Sequence, residues 1–171
     1  MSKRMRLLSL VGIAFLAVAV ARPARAQGWK FGPELSWASN SIGIGIGARA
    51  EVGLAKFIPG AKAFSAFGTF DYFFPSSGYG VSPSYWELAV NGAYHFDIPG
   101  AKSIAPYAGA GLAIAHSSVS VGGFSASATN VGLNLFGGTQ FSPVGKITPF
   151  AQLRLELQSS TALVITGGVL F

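Results

Sequence analysis

PFAQLRLELQSSTALVITGGVLF, residues 149–171, contains two alternating segments joined by Ser159-Ser160. Over residues 151–158 every odd position is apolar and every even position is polar. Successive side chains of a β-strand point to opposite faces, so this pattern predicts a strand with one apolar and one polar face. The second segment alternates apolar residues more loosely and ends on Phe171, and the whole stretch therefore predicts a terminal β-hairpin.

The same alternation recurs along the preceding chain and predicts six more strands. These are residues 29–38, 41–55, 63–74, 85–96, 104–115 and 130–141, which bring the total to eight. A turn motif also repeats, because Ile-Pro-Gly-Ala-Lys at 58–62 recurs at 98–102, with a looser copy, Ser-Pro-Val-Gly-Lys, at 142–146. One turn per hairpin is the repeat expected of an antiparallel up-and-down barrel.

The first 26 residues have a different character. Lys3, Arg4 and Arg6 precede the largely apolar run 7–21, and Ala24-Arg25-Ala26 has the small-x-small pattern that signal peptidase requires. The alternative is a retained anchor helix, but a spanning helix needs about 20 apolar residues. We therefore expect Sec-dependent export with cleavage after Ala26, which leaves residues 27–171 as one barrel domain.

The net charge of +6 comes mostly from this first segment. It holds five of the twelve basic residues, so seven basic and six acidic residues remain, a balance of +1. A nearly neutral chain gives no basis for nucleic-acid binding. The sequence has no cysteine, which excludes disulfide bonds.

The charges of the predicted strands all lie on the less apolar face. Apart from Lys30 at the start of the first strand, they are Glu34, Arg49, Glu51, Asp71, Glu87, Arg154 and Glu156. An arginine or lysine facing lipid at the bilayer midplane costs about 2–4 kcal/mol, whereas a soluble barrel such as a lipocalin has its polar face outside. The distribution therefore predicts an all-β, eight-stranded transmembrane barrel with lipid outside and a network of these seven charges in its lumen.

Aromatic residues near the strand ends fit the two membrane–water interfaces. They are Trp29, Trp37, Tyr72, Trp86, Tyr94 and Phe96. No stretch after residue 26 has about 18 consecutive apolar residues, so strands rather than helices must cross the membrane.

Two functions of the lumen remain open on the sequence alone. An eight-stranded barrel is just wide enough for side chains, which favours a core plugged by ion pairs. The alternative is a narrow, porin-like channel for ions or small solutes. Several glycines either leave room for water or make space for the bulky residues Phe67, Phe73, Tyr107 and Phe136; these glycines are Gly43, Gly45, Gly47, Gly109 and Gly111.

With its signal peptide, eight strands, repeated turns and terminal Phe171, the sequence resembles the opacity-protein and OmpA-type barrels of the bacterial outer membrane. The resemblance implies that Phe171 acts as an assembly signal for the barrel-assembly machinery, with periplasmic chaperones assisting. It also implies contact with outer-membrane lipid and lipopolysaccharide, no nucleic-acid partner and no cofactor, and it leaves a monomeric state open. The Pro/Gly turns are expected in the periplasm and the loops 75–84 and 116–128 outside the cell.

One motif suggests an enzyme. His116-Ser117-Ser118 resembles the His-x-Ser element of outer-membrane lipid A deacylases, but a serine nucleophile needs a base that is itself oriented, usually by a carboxylate. All strand carboxylates are predicted to face the lumen, which favours a histidine at the membrane boundary followed by a serine-rich loop. His95 and His116 are far apart and no cysteine accompanies them, so no metal site is expected and no catalytic residue is assigned. The uncharged loops, with Tyr79 and Phe124, are either solvated or bind a partner.

Overall fold

The computed structural model describes residues 28–76, 81–100, 103–121 and 124–171. Eight antiparallel strands form a closed barrel in which each strand pairs with the next and β1 pairs with β8. The strands are β1 (Trp29–Ala38), β2 (Gly43–Gly53), β3 (Phe64–Phe74), β4 (Val81–His95), β5 (Ile104–Val121), β6 (Phe124–Phe141), β7 (Thr148–Leu157) and β8 (Thr161–Leu170). The predicted eight-stranded barrel is confirmed, whereas the predicted signal peptide lies outside the described residues.

Side chains alternate between the inside and the outside of the barrel as the sequence pattern requires. In β7, Arg154 is 1% exposed, whereas its neighbours Leu153 and Leu155 are 53% and 43% exposed. Large apolar residues cover the outer wall and polar residues fill much of the interior. This arrangement is the reverse of a soluble barrel and matches a wall that faces hydrocarbon.

The two ends of the barrel differ. The terminal end holds the starts of β1, β3, β5 and β7, the end of β8 and a 3₁₀ turn, Leu54–Lys56. At this end Phe171 follows β8, and its backbone exchanges two hydrogen bonds with Phe31, of 2.9 and 3.3 Å. The opposite end, the hairpin end, holds the ends of β1, β3, β5 and β7 and the starts of β2, β4, β6 and β8. Within the described part of the chain, no helix has the length and hydropathy needed to cross a membrane.

The predicted bounds of the second strand, 41–55, are wrong at both ends. Asn40 and Ser41 have φ values of 58° and 63°, a left-handed conformation that an extended strand cannot contain, so β2 begins at Gly43. Ile42 therefore lies in the turn and packs against the buried cluster of Ala38, Phe73 and Val164 rather than on the lipid-facing wall. Leu54 lies in the 3₁₀ turn.

The loop predicted at 116–128 is largely wrong, because β5 continues to Val121 and β6 begins at Phe124. The loop predicted at 75–84 is wrong in its last four residues, since β4 begins at Val81, and residues 77–80 lie outside the described part of the chain. Their serine-rich composition suggested a loop, but small residues interspersed with valine also fit a pleated sheet once a partner strand is in place. Hydroxyl pairs join the strands, with Ser84 Oγ 2.8 Å from Ser118 Oγ and Ser120 Oγ 3.0 Å from Ser125 Oγ.

These residues form a three-stranded projection, here called the sheet extension, made of residues 81–84, 118–121 and 124–127. It lies beyond the last pair of β3 with β4, Phe73 and Tyr85, and beyond the last pair of β6 with β7, Leu133 and Leu157. Neither outer edge of the sheet extension is paired with another strand in the described part of the chain. Tyr79, one of the two loop aromatics, lies outside the described residues.

Candidate functional site

The barrel interior holds all seven charged residues that the sequence places there. Each is at most 5% exposed: Glu34, Arg49, Glu51, Asp71, Glu87, Arg154 and Glu156. They come from β1, β2, β3, β4 and β7, where strand alternation directs each of them inward. The structure divides six of them between two arginine-centred clusters at different heights in the barrel.

The Arg49 cluster lies toward the terminal end. Arg49 Nη2 donates to Glu51 Oε2 at 2.6 Å, and Gln140 Nε2 donates to the other Glu51 oxygen at 2.9 Å. Arg49 Nη1 also contacts the Tyr107 hydroxyl and Gln152 Oε1, both at 3.2 Å. The single guanidinium and the single carboxylate therefore balance each other, and neutral partners complete the cluster.

Aromatic rings enclose Arg49 on several sides. Its guanidinium carbon lies 3.6 Å from the centroid of the Phe67 ring and 4.7 Å from that of Phe150, distances typical of cation–π contacts. Phe67 in turn packs edge to face on Phe136 at 5.2 Å. The cluster and these rings therefore lie together inside the barrel at this height.

The Arg154 cluster lies toward the hairpin end and has more acid than base. Arg154 Nη2 is 2.9 Å from Glu156, 3.1 Å from Glu87 and 3.5 Å from Asp71. Ser36 Oγ donates to Asp71 at 3.1 Å, and Gln158 Nε2 donates to Glu87 at 3.3 Å. One guanidinium thus serves three carboxylates that are almost completely buried, so the position of Arg154 governs the electrostatics of this half of the barrel.

Glu34 is placed differently from the other six residues. It is buried beside Asp71, and among the described residues it forms no ion pair within 4.0 Å with either arginine. Ser36, two residues further along β1, links Asp71 to Thr166 of β8 through its hydroxyl, with Ser36 Oγ 2.9 Å from Thr166 Oγ1. The two strands that close the barrel, β1 and β8, therefore contribute to the Arg154 cluster through the neutral hydroxyl groups of Ser36 and Thr166.

Glycines on the inner face make room for large rings. A Cβ atom built on Gly45 would lie 2.6 Å from Phe73, and one built on Gly109 would lie 2.6 Å from Phe136. Real Cβ atoms do not approach neighbouring atoms this closely. For Gly45 and Gly109 this spacing favours the interpretation in which glycine accommodates an aromatic side chain, whereas a Cβ on Gly47 or Gly111 would meet Asp71 or Asn91 instead.

Two interior partners, Gln140 and Gln152, were not singled out from the sequence. Tyr107 and Gln152 bind each other at 3.0 Å and both contact Arg49, while Gln140 binds Glu51. Gln140 and Gln152 lie on the polar faces of their strands, so the alternation of each strand is sufficient to place them inside the barrel. Their pairing with Arg49 depends on how the strands align around the barrel, which alternation along one strand does not specify.

The predicted interfacial aromatics fall into two bands. Trp29, Tyr94 and Phe96 lie near the terminal end, whereas Trp37, Tyr72 and Trp86 lie near the hairpin end. Trp29, Trp37, Tyr94 and Phe96 are 40–47% exposed. This separation is the arrangement that two membrane interfaces would require.

The histidines have partners unrelated to a hydrolase. His116 Nδ1 is 2.9 Å from Thr129 Oγ1 and its ring stacks on Trp86 at 5.4 Å, while Ser118 is bonded to Ser84. His95 Nε2 is 2.8 Å from Ser65 Oγ at the terminal end. In the described parts of the chain, no group of three or more His, Cys, Asp or Glu residues is arranged to hold a metal ion.

Comparisons with known proteins give structural rather than sequence matches. No protein-family model and no curated protein matches the sequence. The structure is similar to the crystal structure of Neisserial surface protein A, with a TM-score of 0.60, 18% identity, and coverage of 83% of this chain and 94% of that one. It is also similar to the N-terminal β-barrel domain of Pseudomonas aeruginosa OprF, with a TM-score of 0.62, 14% identity and coverage of 83% and 96%.

A third similar structure is a major outer membrane protein from Thermus thermophilus, with a TM-score of 0.53, 12% identity and coverage of 85% and 99%. At these identities the likeness is one of fold. It agrees with the closed eight-stranded barrel and with the apolar outer wall described above. The chain therefore has the fold of the small eight-stranded outer-membrane β-barrels.

Proposed function

We propose that this protein is an integral barrel of the bacterial outer membrane with a plugged lumen and a structural or surface-interaction role. Residues 1–26 serve as the export signal, and cleavage after Ala26 releases residues 27–171 for assembly. The barrel-assembly machinery and periplasmic chaperones are its partners during insertion, with Phe171 as the recognised end, and lipid and lipopolysaccharide surround it afterwards. The terminal end faces the periplasm in this proposal.

The proposal that the lumen is plugged rests on the two arginine clusters, which lie one after the other along the barrel axis. A conducting path has to pass Arg49, which is ion-paired to Glu51 and stacked on Phe67, and then Arg154 with its three carboxylates. Both arginine side chains are at most 1% exposed. Moving either one aside separates buried charges from their partners, which is energetically expensive.

Conductance in planar lipid bilayers tests the plug. We expect the wild-type barrel to give no discrete openings, because its interior is filled at two heights. Protein from the same preparation should migrate as a heat-modifiable band on gels, which shows that the silent sample is folded. Discrete openings of the wild type whose size changes in the variant Arg49→Ala would establish the narrow channel instead and overturn the plug.

The sheet extension supports the surface-interaction part of the proposal. It contains no charged residue and leaves backbone N–H and C=O groups unpaired along both outer edges in the described residues. Such edges bind extended segments of other proteins by adding a strand. Phe124 at the start of β6 is 85% exposed and offers an apolar ring for such a contact.

Shortening the β5–β6 hairpin tests whether the sheet extension contributes to the stability of the barrel or is available for binding at the surface. Ser117 and Ala128 pair directly, so an Asn-Gly turn can replace residues 118–127 without changing the remaining strand alignment. We expect the free energy of unfolding to change by no more than about 0.5 kcal/mol, as for surface changes elsewhere. The measurement is urea unfolding in lipid vesicles, and a much larger loss would show that the sheet extension stabilises the barrel itself.

A further inference from the structure

A cavity of about 210 Å³ opens at the hairpin end of the barrel. Its wall comes from five separate parts of the chain, at Asn40, Tyr85, Ser117, Asn130 and Ser160. Glu156, which is paired with Arg154 at 2.9 Å, also lines the cavity. The cavity therefore reaches the Arg154 cluster.

The lining is polar but nearly uncharged. Among the described residues no lysine or arginine lines the cavity, so this lining offers nothing to compensate a phosphate, sulfate or carboxylate ligand. The one acidic lining residue, Glu156, is 2% exposed and already paired with a guanidinium. A ligand that fits this chemistry is neutral and makes its polar contacts through hydrogen bonds.

The cavity supplies hydrogen-bonding groups that the fold does not use. No side-chain hydrogen bond joins Ser117, Asn130, Ser159 or Ser160 to another residue in the described part of the chain. Asn40 donates from Nδ2 to the Thr161 carbonyl at 2.8 Å, which fixes the amide and leaves its oxygen to accept. Hydroxyls and amides both donate and accept, so this lining matches a ligand whose own groups do the same.

A rigid aromatic ring completes the lining. Tyr85 packs edge to face on Phe73 at 5.5 Å, and like Ile42 it is partly buried against the cluster of Ala38, Phe73 and Val164. The ring is therefore held in place by the fold before any ligand arrives. An apolar aromatic surface among a few fixed polar groups is the usual composition of a small-molecule site.

We propose that this cavity binds one neutral sugar unit, with the sugar hydroxyls bonded to Asn40, Asn130 and the serines and its C–H face against Tyr85. A hexose ring has several adjacent hydroxyls, no charge and an apolar face, which are the three properties that the lining selects. The sugar comes either from a free saccharide or from a glycolipid of the surrounding membrane, because the cavity opens at the end of the membrane-spanning wall. The site belongs to the surface of the barrel and does not require a passage through the lumen.

The test uses the full mature chain refolded in phosphatidylcholine nanodiscs, since detergents with sugar head groups would occupy the cavity. Methyl glucoside and methyl galactoside are titrated as free sugars, and nanodiscs that contain monoglucosyl diacylglycerol supply the same unit from the membrane. We expect saturable shifts of the backbone amide NMR signals of Ser117, Asn130 and Ser160. Shifts in the first arm identify a free sugar as sufficient, and shifts only in the second identify a membrane-borne source.

Asn130→Val removes the amide and places a residue favoured in strands on the inner face of β6. We expect it to weaken binding about tenfold, which corresponds to about 1.4 kcal/mol or one to two hydrogen bonds. Ser127→Val on the outer face of the same strand is the matched control and should bind as the wild type does. If Asn130→Val does not fold, Ser160→Ala in the exposed β7–β8 turn takes its place.

Three results would overturn the proposal. The first is the absence of saturable shifts with both the free sugars and the glycolipid nanodiscs, and the second is unchanged affinity of the Asn130→Val barrel. The third is saturation with choline chloride instead of sugar, which would indicate a cation site at Glu156.

Discussion

Replacing Arg154 with methionine should lower the free energy of unfolding by about 3–5 kcal/mol, the loss expected when buried carboxylates lose the cation that pairs with them. Methionine retains most of the volume of the side chain, so the effect isolates the charge. In the variant, Asp71, Glu87 and Glu156 remain buried at 0–2% exposure without a cation nearby. Urea unfolding in lipid vesicles, followed by tryptophan fluorescence, measures the change.

Two further variants separate charge from packing at this position. Adding Glu87→Gln and Glu156→Gln to the Arg154→Met barrel should restore much of the lost stability, because two of the three orphaned carboxylates become neutral. Arg49→Met should be less harmful than Arg154→Met, since it leaves one carboxylate, Glu51, which still accepts from Gln140. An Arg154→Met barrel within about 1 kcal/mol of the wild type would contradict the assigned role of the Arg154 cluster.

Placing an arginine at Leu153 should lower the free energy of unfolding by about 2–4 kcal/mol, the cost measured for lipid-facing basic residues near the bilayer midplane. Leu153 lies midway along β7, points outward and is 53% exposed. In water an arginine at such a position would be harmless, whereas in hydrocarbon it must be desolvated. The same vesicle unfolding assay applies.

Val144→Arg is the matched control for this substitution. Val144 is 74% exposed, but it lies in the turn between β6 and β7 rather than on the strand wall. We expect a change of at most about 0.5 kcal/mol there. Equal tolerance of both arginines would mean that water, not lipid, surrounds the strands.

Much of the fold was predictable because alternation is local. The pattern of β7 specifies which of its residues face inward, and a period of two leaves no other assignment. The strand ends were harder to predict. Residues 116–128 lack large apolar residues, apart from Phe124, and only the contacts of β5 with β4 and β6 make this segment a sheet rather than a loop. At the other extreme, strong alternation extended the second predicted strand through Ser41, where the left-handed backbone of the turn prevents it.

The interior was also predictable only in part. The alternation along each strand placed all seven charged residues inside the barrel, but it did not show that Glu51 pairs with Arg49 while Glu156, Glu87 and Asp71 share Arg154. These partners come from strands far apart in sequence, such as β3 and β7, and their meeting depends on the alignment of all the strands between them. The cavity at the hairpin end depends on five segments and was likewise not predictable from any one of them.

Asp71 and Glu87 stand directly opposite each other on β3 and β4, so the local hairpin brings two like charges together. The guanidinium that pairs with both comes from β7, 83 residues after Asp71 in the sequence. An intermediate in which β7 has not yet joined the sheet therefore carries an electrostatic penalty that is reduced only when the barrel forms. Insertion into the membrane should consequently end in a single cooperative step, with few long-lived open forms exposed to proteases.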